Sequence, residues 1–250
     1  FCVEGEDGIR DKQAGPIAQK MEEELTRYRS LRQHDDSQPK FKEHVYALQE
    51  WQSKRLQKTH DVLLQDERYQ DATLFFLEDI YGGIDLTELS HQIERVMNKA
   101  FRVLPEKVMT TSTYALEFNA LSAELDEAMA CFLFNEMGVI DITFDAYTEA
   151  FREAVDISLR HRQAALAKML AQGLDKYVRS RLVYGTFKMV KRPAVKAGIG
   201  ELYNFMDKGF DVMRPLGSAK ELIDAIVDEE VAIVNRIYEC SDDPFGFQCF

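Results

Sequence analysis

Apolar residues recur at intervals of three and four along most of the chain, which is the repeat of an amphipathic α-helix. In residues 41–65, for example, Leu48, Trp51 and Val62 fall on one helical stripe, and Leu56 falls on the neighbouring one. No segment shows the strict alternation of apolar and polar residues that indicates a half-buried strand. The pattern predicts an all-α fold, a single multi-helix bundle-like domain with long antiparallel helices.

The predicted helices occupy most of the chain. They cover about residues 16–31, 41–65, 68–81, 85–101, 105–137, 159–184, 194–213 and 218–238, and one more begins near residue 143. A turn is expected over residues 33–39, which are polar and end in proline. We therefore expect a flexible lead-in over residues 1–14, a single helical domain over residues 15–240 and an irregular C-terminal tail over residues 241–250.

Several predicted helix ends carry recognisable end signals. Gly82 and Gly83 provide a glycine stop after residue 81. The segments 85–88 and 218–221 each end in a glutamate, three residues after Asp85 and Ser218 respectively, and are predicted to open the next helix as capping boxes.

The net charge of −12 excludes some partners. Broad nucleic-acid binding needs a basic footprint, so we expect no nucleic-acid partner. The charge also argues against electrostatic docking on anionic membranes, although a local basic pocket remains compatible with it. No apolar run approaches the roughly 18 residues of a membrane span, and the first residues do not form a signal peptide. We therefore predict a cytoplasmic protein.

The four cysteines do not have the spacing of a zinc knuckle. Cys131 lies in an apolar helical run and is predicted to be an ordinary core residue. Cys240 and Cys249 are close enough in the tail to meet through a short loop. Reduced thiols are the expectation for a cytosolic protein.

One carboxylate is in an unusual place. Asp79 shares a predicted helix face with Phe75 and Phe76, near the end of the helix, where the helix dipole disfavours negative charge. A guanidinium grips a carboxylate with two bonds, so Arg55, on the Trp51 stripe, is the expected partner. Two interpretations stay open, an ion pair that locks two helices together and the wall of a pocket.

A second basic feature contains Lys188, Lys191, Arg192 and Lys196, next to a predicted helix with small residues. Cations beside free backbone N–H groups at a helix N-terminus can hold a phosphate or a carboxylate. The alternative is a solvated basic turn whose small residues serve helix packing.

Two further sets of residues have side chains that are suited to a metal site or to hydrogen bonds between helices. Glu88 and His91 have the Glu-x-x-His spacing of a carboxylate-bridged di-iron site, but no second such motif exists, so no metal site is predicted. On the long fifth helix, Asn119, Ser122 and Asp126 share a stripe, for which Gln163 is the expected hydrogen-bond partner.

Three segments carry a family resemblance. They are residues 51–60 (WQSKRLQKTH), 75–82 (FFLEDIYG) and 192–198 (RPAVKAG). Together they resemble a group of uncharacterised bacterial proteins over roughly residues 45–240. The resemblance implies a helical, cytoplasmic bacterial protein and implies no particular activity.

The leading functional hypothesis is a helical binding or regulatory protein with a pocket for a small anionic or amphipathic ligand. The predicted ligand-binding residues are Arg55, His60, Asp79, Tyr81, Arg192 and Lys196. No phosphate loop, dinucleotide fingerprint or nucleophile elbow occurs, and the cofactor and catalytic residues stay unassigned. The alternatives are a metal- or haem-dependent helical enzyme, using His60 or His91 with Glu88, and a ligand-free interaction module such as a homodimer.

Overall fold

A computed structural model describes residues 15–81, 91–93 and 106–247, with side chains for all of these except residues 32–37 and 81. The α-helices are α1 (Gly15–Ser37), α2 (Pro39–Thr59), α3 (Asp61–Gln65), α4 (Gln70–Leu74), α5 (Glu106–Ala130), α6 (Phe144–Glu153), α7 (Ile157–Arg179), α8 (Arg181–Met189), α9 (Lys191–Lys196), α10 (Gly200–Met213) and α11 (Lys220–Tyr238). Two π-helices, Phe75–Tyr81 and Cys131–Glu136, continue α4 and α5. No strand occurs in the described ranges, and the all-α prediction is confirmed.

Helix α5 lies at the centre of the packing. It contacts α1, α2 and α7, and α7 in turn contacts α11. The largest group of buried apolar residues extends from Val45 in α2 to Phe245 after α11, and smaller groups join α1 to α5. Within the described residues, none of the helices is both long and apolar enough to cross a membrane.

The predicted turn over residues 33–39 is wrong in extent, because α1 continues to Ser37 and α2 begins at Pro39. A proline disfavours the helical conformation only for the residue before it, and Gln38 is the residue that leaves the helix, with φ −129° and ψ 77°. The predicted helix over residues 41–65 is divided at His60, which ends α2 and precedes α3.

The predicted helix over residues 194–213 is also divided. Gly198 has φ +75°, a left-handed conformation that glycine adopts without a Cβ penalty, and it separates α9 from α10. The helix predicted over residues 159–184 ends at Arg179, after which the Oγ atom of Ser180 accepts a hydrogen bond from Val183 N at 3.2 Å and begins α8.

The predicted capping box over residues 218–221 is not formed. Instead, the backbone N–H of Ala219 donates to Asp175 Oδ1 at 2.8 Å, and Lys220 N donates to Ser218 Oγ at 3.3 Å. A buried carboxylate of α7 thus caps α11 from outside its own sequence. The expected glycine stop at residues 82–83, the capping box at 85–88 and the helix over 85–101 lie outside the described residues.

The described cysteines, Cys131 and Cys240, are free thiols. Cys131 is half-buried, which differs from the expected core position, because α5 gives way there to a π-helix. Cys249 lies outside the described residues, as do residues 1–14 and 248–250.

We expect Gly173→Ala to lower the free energy of unfolding by about 1–3 kcal/mol. A Cβ atom at Gly173 in α7 would lie 2.7 Å from both Cγ2 and Oγ1 of Thr111 in α5, so the two helices would have to shift. Urea unfolding measures the loss. Adding Thr111→Ala to this variant removes both clashing atoms and should recover most of the lost stability. The matched control is Gly185→Ala, because a Cβ atom at Gly185 meets nothing within 4 Å. An equal loss in both glycine variants would contradict the close packing.

Candidate site: two buried arginines at a polar cavity

Arg55, His60 and Glu230 form a buried cluster between α2 and α11. The Nη1 atom of Arg55 donates to both Oε1 and Oε2 of Glu230 at 2.6 Å. The Nε2 atom of His60 lies 3.0 Å from Glu230 Oε1. His60 reaches this position because it is the residue at which α2 ends, one turn beyond Arg55.

The charges of this cluster stabilise each other. Burial opposes the ionised form of Glu230, but the charge of Arg55 and the hydrogen bonds from His60 and Arg55 together hold the pKa of Glu230 below its usual range. Burial likewise opposes the charge on Arg55, yet Glu230 and Tyr147 raise the pKa of Arg55. The pair is therefore an ionised, desolvated salt bridge at neutral pH.

A second buried guanidinium, that of Arg160 in α7, has no such partner. Its Nη1 atom donates to Gln163 Oε1 at 3.4 Å, its Nη2 atom lies 2.7 Å from Met129 Sδ, and its Cζ atom stands 4.0 Å from the centre of the Phe151 ring. No carboxylate oxygen of the described residues lies within 4.0 Å of it. Burial lowers the pKa of Arg160, and Tyr147 and Asp126, which act to raise this pKa, offset the effect only in part.

Arg55 and Arg160 line the same small cavity, whose volume is about 50 Å³. The polar residues around it are Gln52, Arg55, Ser122, Asp126, Tyr147, Arg160, Gln163 and Glu230. The Nε–H groups of Arg55 and of Arg160 are both buried and have no hydrogen-bond acceptor among the residues that the structure describes. A buried donor without an acceptor costs about 1–3 kcal/mol, so these two N–H groups are unsatisfied donors on residues that line the cavity.

The wall of the cavity is held by hydrogen bonds between helices. Gln163 Nε2 donates to Ser122 Oγ at 2.8 Å, which confirms the expected pairing of these two residues. Gln49 Nε2 donates to Asp126 Oδ2 at 2.9 Å. The amide of Asn119, in contrast, donates to the Ala115 carbonyl oxygen of its own helix at 3.0 Å.

Aromatic rings close the site on the side of α6. Tyr147 is buried and stacks on Trp51 at 4.1 Å between ring centroids. Phe245, from the segment after α11, packs against Tyr147 at 6.1 Å, and its ring centre is 5.8 Å from Arg55 Cζ. The beginning of the C-terminal tail is thus part of the core around the cluster.

The expected pairing of Arg55 with Asp79 is wrong. Asp79 makes its salt bridge to Lys208 of α10, at a partly exposed position, while Arg55 binds Glu230. The physical reason is the π-helix over Phe75–Tyr81: its i→i+5 hydrogen bonds turn the chain less per residue than an α-helix does, so α-helical spacing misplaces Asp79.

The six predicted ligand-binding residues therefore do not come together at one place. Arg55 and His60 meet at Glu230, and Asp79 lies at α10. Arg192 and Lys196 are exposed on the six-residue helix α9, and neither lines the cavity beside Arg55. Tyr81 ends the π-helix, and its side chain is outside the described part.

Three residues of the site were missed by the sequence interpretation: Tyr147, Arg160 and Glu230. Glu230 had a usable signal, because it falls on the buried stripe of α11 with Ile223, Ile226 and Val234 at helical spacing. A charged residue on an apolar stripe is buried only with a partner, and Arg55 met the same criterion.

A larger, open groove of about 440 Å³ lies elsewhere, between α1, α2 and α5. Leu31, Phe41, Glu124 and Cys131 are among its lining residues. It borders residues 32–37, whose side chains are outside the described part, so its shape carries no functional argument.

His91 is exposed, and Glu88 lies outside the described residues. Among the residues with described positions, no group of three or more His, Cys, Asp and Glu side chains is arranged to hold a metal ion.

We expect Asp79→Asn to lower the free energy of unfolding by less than about 1 kcal/mol. Its partner Lys208 is half-exposed, so water and salt screen the pair, and both side chains can be solvated when the pair is broken. Chemical denaturation at low and high salt measures the effect, which should shrink further at high salt. A loss of several kcal/mol would mean that Asp79 has a buried role.

The fold and the site define an all-α protein with two arginines at an enclosed polar cavity. The chain belongs to a family described as a domain of unknown function (DUF8198), and the match covers residues 30–244. No curated protein and no solved structure was found to match the chain.

Proposed function

We propose that the protein binds a small anion in the cavity between Arg55 and Arg160. The observation that carries this proposal is the pair of buried guanidinium Nε–H groups without an acceptor, both on residues that line the cavity. Guanidinium groups bind carboxylates and other oxyanions through charge-assisted hydrogen bonds, which are about twice as strong as neutral ones.

The charges around the cavity support an anion. Glu230 neutralises Arg55 directly. The described groups in contact with Arg160, those of Gln163, Met129 and Phe151, are neutral, and the Asp126 carboxylate at the same cavity is not within 4.0 Å of this guanidinium and offsets its charge only in part. An anion beside Arg160 would supply the missing counter-charge in a site of low dielectric, where such an interaction is strong.

The size of the cavity selects the ligand. A site of about 50 Å³ holds roughly three water molecules, at about 15 Å³ each, or one anion of a few heavy atoms. Formate, acetate, nitrate and bicarbonate are of this size. Of the two ligand classes expected, a small anion is favoured over an amphipathic molecule.

The cytoplasmic location and the bacterial origin are part of this proposal. They rest on the resemblance carried by the three motifs of residues 51–60, 75–82 and 192–198. The metal- or haem-dependent enzyme and the ligand-free homodimer stay predictions.

The test is a thermal-shift and calorimetric titration of the full chain with the sodium salts of these four anions. Gluconate, which is too large for the cavity, holds the ionic strength constant. Binding at a hundred times the Kd should add about 2.7 kcal/mol to the stability. Arg160→Gln should lose the response, and Arg162→Gln, two residues further along α7 on an exposed arginine bound to Glu117, should keep it.

Gln163→Glu provides a test that does not depend on removing an arginine. The new carboxylate would replace the Gln163 Oε1 atom, which lies 3.4 Å from Arg160 Nη1, and would act as a built-in anion. This variant should be more stable than the wild type without ligand and should no longer respond to anions. If no anion stabilises the wild type, or if Arg160→Gln responds as strongly, the cavity holds water only.

A further inference from the structure

Residues 176–200 differ in charge from the rest of the chain. They contain no Asp or Glu in a protein whose net charge is −12. Their seven basic residues are Lys176, Arg179, Arg181, Lys188, Lys191, Arg192 and Lys196. A strongly basic stretch of this kind is a local electrostatic feature that the net charge conceals.

Part of this charge is already used inside the protein. Lys188 forms a salt bridge with Asp207, and Arg179 forms one with Asp175. In contrast, Arg181, Arg192 and Lys196 are exposed, and no carboxylate of the described residues lies within 4.0 Å of their cationic groups.

The same segment exposes apolar side chains. The inner face of α8 packs on α10, where Phe187 stacks on Tyr203 at 4.4 Å between ring centroids. The outer face is therefore uncovered, and Leu182 and Met189, seven residues apart on it, are each 80% exposed. Val195 in α9 is 56% exposed. Exposure of this degree is unusual for three large apolar residues so close in sequence.

We propose that this basic apolar surface binds the face of a bilayer that contains anionic lipids. We define the surface by Arg181, Leu182, Met189, Val190, Arg192, Val195 and Lys196. Stable attachment to a membrane surface takes two contributions, burial of apolar side chains at the interface and attraction between cations and anionic headgroups, and both are present here.

The exposed cations and the kind of exposed apolar residues favour a bilayer surface over a protein as the partner. The three exposed cations have no carboxylate partner among the described residues, so they are available to attract anionic headgroups, which a bilayer provides at high density. The apolar residues are Leu, Met and Val, whereas protein interfaces concentrate their energy in Trp, Tyr and Arg set in pockets. At physiological salt, ions screen charges over about 8 Å. Acidic residues farther than this from the surface therefore repel the anionic bilayer only weakly.

Vesicle co-sedimentation of the full chain tests the proposal. The probes are vesicles of phosphatidylcholine alone and vesicles in which about a third of the lipid is phosphatidylglycerol. We expect binding to the anionic vesicles only, weakening as salt is raised. Arg192→Gln with Lys196→Gln, and separately Leu182→Ser with Met189→Ser, should each lower the partition coefficient by about tenfold or more.

Matched controls separate this surface from general effects. Lys40→Gln with Lys107→Gln removes two exposed cations elsewhere, and Val62→Ser with Ile140→Ser removes two exposed apolar side chains elsewhere. Both should bind as the wild type does. Circular dichroism confirms that every variant is folded.

Three results would overturn the proposal. One is that the wild type fails to bind the anionic vesicles. Another is that the surface variants bind as well as the controls. The third is that the wild type self-associates in light scattering and the Leu182→Ser, Met189→Ser variant does not, which would make this surface a contact between copies of the chain.

Discussion

Replacing Glu230 with Gln is expected to lower the free energy of unfolding by about 3–5 kcal/mol. The change keeps the shape of the side chain but removes its charge, and it leaves the guanidinium of Arg55 buried without a counter-ion. His60 loses a carboxylate acceptor at the same time. This loss is a large part of the total stability of a typical domain, so the variant should unfold at clearly lower urea concentration.

The double variant Arg55→Met with Glu230→Met distinguishes the cost of one unpaired buried charge from the contribution of the salt bridge itself. Each single change to Met leaves one uncompensated charge and should be strongly destabilising. The double change removes both charges and fills the space with apolar atoms, so its stability should be closer to that of the wild type than that of either single variant. Additivity within about 0.5 kcal/mol in this cycle would show that the two residues do not interact.

A surface salt bridge that also involves α11 serves as the control. Lys168 in α7 and Asp228 in α11 are 3.0 Å apart and solvent-exposed. Asp228→Asn should lower the stability by less than about 1 kcal/mol, because water compensates the lysine. The contrast with Glu230→Gln isolates the effect of desolvation.

The pH dependence of stability should follow the same cluster. The pKa of Glu230 is lower in the folded chain than in the unfolded chain, so its stabilising contribution is complete above the unfolded value, about 4.3, and is lost as the pH falls through the folded value. The wild type should therefore lose more stability below about pH 4.3 than the Arg55→Met, Glu230→Met double variant does. Parallel pH curves for the two proteins would contradict this assignment.

Replacing Tyr147 with Ala should have an equally large effect, about 3–5 kcal/mol. The ring is only 1% exposed and lies between Trp51, Phe151 and Phe245, so its removal leaves a cavity in the core and takes away three aromatic contacts. It also removes the hydroxyl group that helps to raise the pKa of Arg55. Thermal and urea unfolding measure the change.

The variant Tyr147→Phe shows how much of the lost stability is due to the ring of Tyr147 and how much is due to its hydroxyl group. It keeps the packing and removes only the hydroxyl, so the loss should be about 1–3 kcal/mol. Tyr46, which is 43% exposed, provides the control, and Tyr46→Ala should change the stability by about 1 kcal/mol or less. If Tyr147→Ala is no more destabilising than Tyr46→Ala, the ring is not part of the core.

Helix interiors were predictable because they depend on local spacing. Leu48 and Leu56, on two neighbouring stripes of the predicted helix, are both buried in α2. The long helix predicted over about residues 105–137 is present as α5 with its π-helical continuation. The breaks were less predictable. His60 and Ser180 are ordinary helix residues by propensity, and the packing around them decides that the chain turns there.

The salt-bridge partners of buried charged residues were harder to predict than their burial. The position of Arg55 on an apolar stripe indicated correctly that this cation is buried and needs a counter-charge. Its partner lies 175 residues away in α11, and no local pattern relates the two positions. Asp79 was chosen instead because α-helical spacing was applied to a segment that is a π-helix.

The amino-acid sequence alone determined the all-α class, the helices with a buried stripe and the burial of Arg55, because these follow from the period of apolar residues and from the cost of burying a charge. Only the tertiary structure decided that Glu230 is the counter-ion of Arg55, that Arg160 has no carboxylate within 4.0 Å among the described residues, and that both arginines border one cavity. These facts depend on how α2, α6, α7 and α11 pack. That packing buries the apolar stripes of these helices against one another, and the pairing of distant residues follows from it.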